Sequence, residues 1–104
     1  MSALTDYAKG KPCLIRAPEI CTFIDEQTVA CHVPLADYHG TGFKMADWFI
    51  AFGCFNCHDH VDSRRYRHIE EAVARTWHIE GMIRTQAYIL KRAPHLVVNM
   101  AKAA

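Results

Sequence analysis

Cys54-Phe55-Asn56-Cys57-His58-Asp59-His60-Val61-Asp62 places two cysteines, two histidines and two aspartates within nine consecutive residues. The C-x-x-C spacing brings both sulfurs to one side of a tight turn, where thiolates can share a metal ion. If a helix starts near Cys57, His58 and Asp62 lie one turn apart on a single face, as a second metal would need. The stretch is therefore the seam between a sulfur site and a nitrogen–oxygen site.

Upstream, Trp48–Phe52 is apolar and aromatic almost throughout, which predicts a strand buried on both faces. Residues 35–47 form a loop whose Gly40-Thr41-Gly42 matches neither phosphate-binding spacing, so these glycines serve turn geometry. Before the loop, Thr28–Val33 alternates with period two and Pro34 ends it. Val29, Cys31 and Val33 share the apolar face, so Cys31 is expected to be a buried thiol that ligates nothing. His32 sits at the strand end and points the other way. The segment from Cys13 to Cys21 holds Pro18 and reads as a loop. Residues 1–12 form a loose or partly helical leader, and Lys9, Lys11 and Arg16 make this end of the chain basic and read as solvated.

Downstream the chain is helical, with a break expected over Ser63–Tyr66. Ile69, Val73, Trp77, Ile79, Ile83, Ala87 and Leu90 form an apolar stripe expected to face the core. Glu71/Arg75 and Glu80/Arg84 are i,i+4 pairs for the solvated side. Gly81 marks a kink or the close approach of another backbone, and Pro94 a stop. Residues 95–104 are expected to be flexible, as are residues 1–7, around a core of about 8–92 in a single domain.

The 104 residues are 51% hydrophobic with a net charge of only +1, which excludes disorder and leaves nucleic-acid contact to local basic patches. No apolar run approaches a membrane span, and no secretory signal is visible, so the expected compartment is the reducing cytoplasm. Five cysteines, an odd number, then point to metal or redox use rather than a disulfide framework. A structural zinc on Cys13, Cys21, Cys54 and Cys57 is the favoured reading. Mixed Cys/His ligation and incidental core thiols stay open, and a thioredoxin-like motif is disfavoured because no βαβ pattern surrounds the C-x-x-C.

The order strand, loop, strand, C-x-x-C, helix is a ββα unit. Such a unit can set an imidazole on a strand, His32, opposite a metal on a helix, with room for a scissile phosphate between them. Arg64, Arg65 and Arg67 follow that helix and are candidate phosphate contacts.

With Cys13, Cys21, Ala30-Cys31-His32, Gly40-Thr41-Gly42, Lys44, Asp47, Cys54-x-x-Cys57-His58-Asp59, Asp62 and Gly81-Met82-x-Arg84-Thr85-Gln86, the chain resembles the HNH/His-Me finger nucleases. It is more similar still to the YbcO-like prophage proteins and to the catalytic domain of the phage RecA-dependent nuclease Ref. The resemblance spans about residues 8–92. It implies an α+β fold: a small zinc-stapled ββα-metal domain with additional C-terminal helices. It implies a metal-dependent DNA endonuclease or nickase of phage or prophage origin. His32 takes the general-base position, and His58 with Asp62 holds a catalytic divalent metal such as Mg²⁺, Mn²⁺ or Zn²⁺. Asp47 orients the base loop, and the partners are DNA and a recombinase filament or other phage recombination protein. Two positions depart from the pattern: Cys31 stands where many HNH sites carry a metal ligand, and Met45-Ala46 replaces a Pro-Pro. The rival reading is a catalytically inactive, zinc-stabilised nucleic-acid-binding or adaptor protein. His39, His60, His68, His78 and His95 have no assigned role.

Overall fold

The structure, a computed structural model, describes residues 3–34, 47–62 and 70–103. The elements run α1 (Ala3–Tyr7), a 3-10 turn (Asp25–Gln27), β1 (Val29–His32), β2 (Ile50–Gly53), α2 (Phe55–Asp62), α3 (Glu71–Arg92) and α4 (Pro94–Ala103). β1 and β2 form an antiparallel pair in which Val29 faces Gly53, Ala30 faces Phe52, Cys31 faces Ala51 and His32 faces Ile50. The expected order of strand, strand, helix is thus present in a small α+β domain. β2 starts two residues later than the aromatic run suggests, and α2 begins at Phe55 rather than at Cys57. The 35–46 loop, the Ser63–Tyr66 break and Arg64, Arg65 and Arg67 lie outside the described residues.

Strand alternation divides the core. Cys31 and Ala51 join Cys13, Ile15, Ala17, Cys54 and Cys57 in one cluster, against which Val29, Val61, Trp77 and Met82 pack. Ile50 and Phe52 belong to a second cluster with Leu4, Ala8, Leu14 and Ile89. Cys31 is fully buried, as its place beside Val29 and Val33 implied.

α3 departs from most of the expected packing face: Trp77 does pack on the first cluster, but Ala87 is exposed, and Ile69 lies outside the described residues. Val73, Ile83 and Leu90 are exposed, while Ala74, His78, Gly81, Thr85 and Ile89 are buried. The core face is small and polar because this helix runs against backbone and must come close to it. A Cβ on Gly81 would lie 2.8 Å from Ile15 Cγ1, 3.0 Å from Ile15 Cα and 3.2 Å from Ala51 Cβ. The polar side chains satisfy main-chain groups of three other segments. Arg84 donates to the Leu14 and Ile15 carbonyls at 2.8 and 3.3 Å, and the Thr85 hydroxyl accepts the Phe52 N–H at 2.9 Å. Gln86 donates to the Trp48 carbonyl at 3.0 Å. Arg84 therefore turns inward rather than sitting in a solvated pair with Glu80. The Gly81–Gln86 motif joins the helix to the sheet and to the first cysteine loop.

Gly81→Ala is expected to destabilise the domain by about 1–3 kcal/mol through overpacking, although alanine favours a helix by about 1 kcal/mol. Chemical denaturation checks this. Undiminished stability would show that Ile15 yields freely.

The last segment is helical rather than irregular. Pro94 opens α4, where a missing N–H costs nothing, and Leu96 and Val97 pack on the second cluster. At the other end α1 buries Leu4 in the same cluster.

Candidate metal centre and catalytic residues

The loop from Cys13 to Cys21 is held by its neighbours rather than by regular structure of its own. Leu14 and Ile15 both donate N–H groups to the Phe52 carbonyl, at 2.7 and 3.2 Å, and this lays Cys13 beside the end of β2. Asn56, inside the C-x-x-C, donates to the Ile20 carbonyl at 2.8 Å and draws the second half of the loop onto α2. Arg16, Glu19 and Phe23 take positive φ values of 53°, 64° and 56°. Non-glycine residues avoid that region, at roughly 1–2 kcal/mol each, so the loop needs an interaction that holds it in shape.

The result is a cluster in which the sulfurs of Cys13, Cys21, Cys54 and Cys57 all lie within 4.8 Å of one another. Four thiolates around zinc at about 2.3 Å in a tetrahedron sit a little under 4 Å apart, so this spacing suits such an ion. Each sulfur also receives backbone N–H groups. Phe23 donates to Cys21 and Cys57 to Cys54, each at 3.4 Å, while Arg16 and Cys54 donate to Cys13 and Ala17 to Cys57. Such donors offset the negative charge of a thiolate set.

The thiols divide between two states. A hydrogen bond from the Cys57 side chain, assisted by the Arg16 and Cys54 N–H groups, lowers the Cys13 pKa to about 4. The same bond raises that of Cys57, and burial adds to it. Burial and the neighbouring Cys13 push Cys21 up to about 11. At Cys54 burial works upward, but hydrogen bonds from Thr22 and from the Cys57 N–H prevail and lower it. Neighbouring thiol and backbone donors thus favour negative charge at Cys13 and Cys54, and a bound cation would favour the thiolate form of all four. These four cysteines could bind a metal such as zinc. Cys31 stays apart, its Sγ 3.7 Å from the Val29 carbonyl.

At the far end of β1 the His32 ring meets Asp47, Nε2 to Oδ1, at 3.1 Å, with both side chains partly exposed (44% and 37%). Asp47 thus stands beside His32 itself, closer to the candidate base than a role in shaping the loop requires. His58 and Asp62 lie one turn apart on α2, which packs against both strands. His58 is half-buried, and the Asp62 side chain lies outside the described residues. Among the described residues only the four cysteines form a cluster of three or more metal-ligating groups.

One residue without an assigned role acquires a place here. His78, buried in α3, donates from Nε2 to the Cys31 carbonyl at 3.1 Å, in the peptide group that leads into His32. His78 lies off the apolar stripe and its partner is 47 residues away, so local spacing carried no signal for it.

The small α+β domain thus carries a four-cysteine cluster that could bind a metal such as zinc and, at the far end of β1, a partly exposed His–Asp pair. Residues 2–93 match the family described as "Putative nuclease YbcO", and the chain belongs to that family. It is 36% identical over 91 residues to "Putative nuclease YbcO" of Escherichia coli (strain K12), covering 88% of this chain and 94% of that protein. The protein of the same description from Enterobacteria phage 82 matches equally well. The solved structure of a putative bacteriophage protein from Escherichia coli K-12 MG1655 superposes with a TM-score of 0.66 at 30% identity. That match covers 82% of this chain and 93% of the other. No helix among the described residues is long and apolar enough to cross a membrane.

Proposed function

We propose that the chain is a metal-dependent DNA endonuclease or nicking enzyme in which His32 is the general base. The observation that carries this reading is the His32–Asp47 pair, an accessible imidazole with one nitrogen committed to a carboxylate. When Nε2–H donates to Asp47, Nδ1 keeps its lone pair and can take a proton from an attacking water. Asp47 then holds the ring's orientation and stabilises the imidazolium that forms.

His58 and Asp62 hold the divalent cation in this reading. A nitrogen–oxygen pair on one helical turn leaves further positions for water and phosphate oxygens, as suits Mg²⁺, Mn²⁺ or Zn²⁺. Such a cation supplies charge stabilisation at the scissile phosphate and at the leaving oxygen. Arg64, Arg65 and Arg67, directly after α2 in sequence, grip the flanking phosphates. The zinc on Cys13, Cys21, Cys54 and Cys57 is structural. It fixes the turn from which α2 departs, and so the place of His58.

Supercoiled plasmid nicking by the wild type across Mg²⁺, Mn²⁺ and Zn²⁺ tests the proposal. Absence of cleavage under every metal, with DNA binding retained, would favour the inactive nucleic-acid-binding reading. Asp47→Asn is expected to lower cleavage on the order of 10–100-fold, as for other carboxylates that orient a histidine, with DNA affinity unchanged. A full wild-type rate in that variant would remove Asp47 from the site.

A further inference from the structure

Phe52, wholly buried on β2, is flanked by two tyrosines from distant parts of the chain. The Tyr7 ring lies 6.2 Å from it, centroid to centroid, and the Tyr88 ring 5.8 Å. Each tyrosine also has a cation over its ring. Lys11 Nζ sits 4.3 Å from the centre of the Tyr7 ring, and Arg92 Cζ 4.1 Å from that of Tyr88. Two cations thus border one aromatic trio, and exposed Lys9 and Lys91 lie close to them in sequence. Among the described residues neither Lys11 nor Arg92 has a carboxylate partner, and both remain at least partly accessible. α4, packed against α3 and α1, carries no acidic residue, and Asp6 is the one carboxylate on α1. In a chain of net charge +1, this concentration of positive charge is local and not a share of a general excess.

We infer that this surface, built from none of the cutting residues, binds the sugar–phosphate backbone of duplex DNA. The tyrosine rings hold the two cations in place, so less side-chain freedom is lost when a phosphate arrives. Strand alternation adds a direction. His32 follows Ala30 by two residues on β1, and Ala30 pairs with Phe52, so the trio and the candidate base occupy the same face of the sheet. Along the strand they are about 7 Å apart. A duplex on this surface runs towards His32, and the backbone contacts set its register for cleavage. The sequence placed Lys9 and Lys11 in a solvated tail. Phe52 instead links Lys11, through Tyr7 and Tyr88, to Arg92, some eighty residues later in the chain.

The inference rests on the proposed nuclease reading only for its choice of ligand. Its test is fluorescence anisotropy with an arbitrary duplex of about 20 base pairs, with no added divalent metal, between about 50 and 200 mM salt. Each phosphate contact contributes about 0.9 to the slope of log affinity against log salt. Lys11→Gln with Arg92→Gln should therefore weaken binding and flatten the slope by about 1.8, with zinc content unchanged and the protein still folded at the assay temperature. Lys11→Arg with Arg92→Lys, which keeps both charges, should retain the wild-type slope. An unaltered slope in the double glutamine variant overturns the inference, even if the wild type cuts DNA. A wild type that shows no salt-dependent duplex binding overturns it too. A flattened slope in a protein that never cleaves sustains this surface and ends the hydrolase reading alone.

Discussion

His32→Ala is expected to lower DNA nicking by about 10²–10⁴-fold, the usual worth of general acid–base catalysis, while the fold and the zinc content are retained. The substitution is structurally mild because the side chain is exposed at the end of β1 and its hydrogen-bond partner, Asp47, is itself accessible. Asp47 left alone can be hydrated, so little stability should be lost. The comparison with His58→Ala separates base from ligand. Removing His58 weakens the second cation, so raised metal concentration restores part of the rate, whereas no metal concentration restores His32→Ala. Asp62→Ala follows His58→Ala more mildly where water fills the vacant position. Nicking rate against metal concentration for wild type and the three variants makes the distinction. A His32→Ala protein that cuts at the wild-type rate would end the base assignment.

The second large effect lies at the sulfur cluster. Purified protein should hold about one zinc per chain, and Cys54→Ser should leave the domain largely unfolded. Structural zinc in small domains contributes on the order of 10–16 kcal/mol of apparent binding free energy, comparable with the whole stability of a domain this size. The loop from Cys13 to Cys21 has two residues at positive φ, Arg16 and Glu19, with Phe23 just after it, and no secondary structure of its own, so its shape is expected to depend on that ion. Circular dichroism of the chelated protein should show the same loss as Cys54→Ser. Cys31→Ala is the control: it should keep the zinc and cost on the order of 1 kcal/mol, as a small buried side chain that binds no metal. An unchanged melting transition after proven zinc removal would make the cluster dispensable.

The chemistry-bearing residues could be read from local spacing, because that spacing maps directly onto local geometry. C-x-x-C puts two sulfurs on one turn, His58 and Asp62 are four apart on a helix, and period two turns Cys31 inward and His32 outward. None of those inferences needs a distant part of the chain. The packing face of α3 did need one. Val73, Ile83 and Leu90 form an apolar stripe in the sequence, yet the helix buries Ala74, His78, Gly81 and Thr85 instead. Hydrophobic periodicity assumes that the neighbour is a surface of side chains. Here the neighbour is backbone, with Ile15 pressed against Gly81 and carbonyls at residues 14, 15 and 48 awaiting donors. Small residues and hydrogen-bonding side chains therefore win over large apolar ones.

For the same reason other features wait for the fold. Asp47 reaches His32 across fifteen residues and His78 reaches Cys31 across forty-seven, and Lys11 and Arg92 meet through Phe52. Local patterns carry ligand types, strand faces and helical turns. Which of these stand together is decided by long-range closure around β2, where backbone hydrogen bonds and close packing must be satisfied at once.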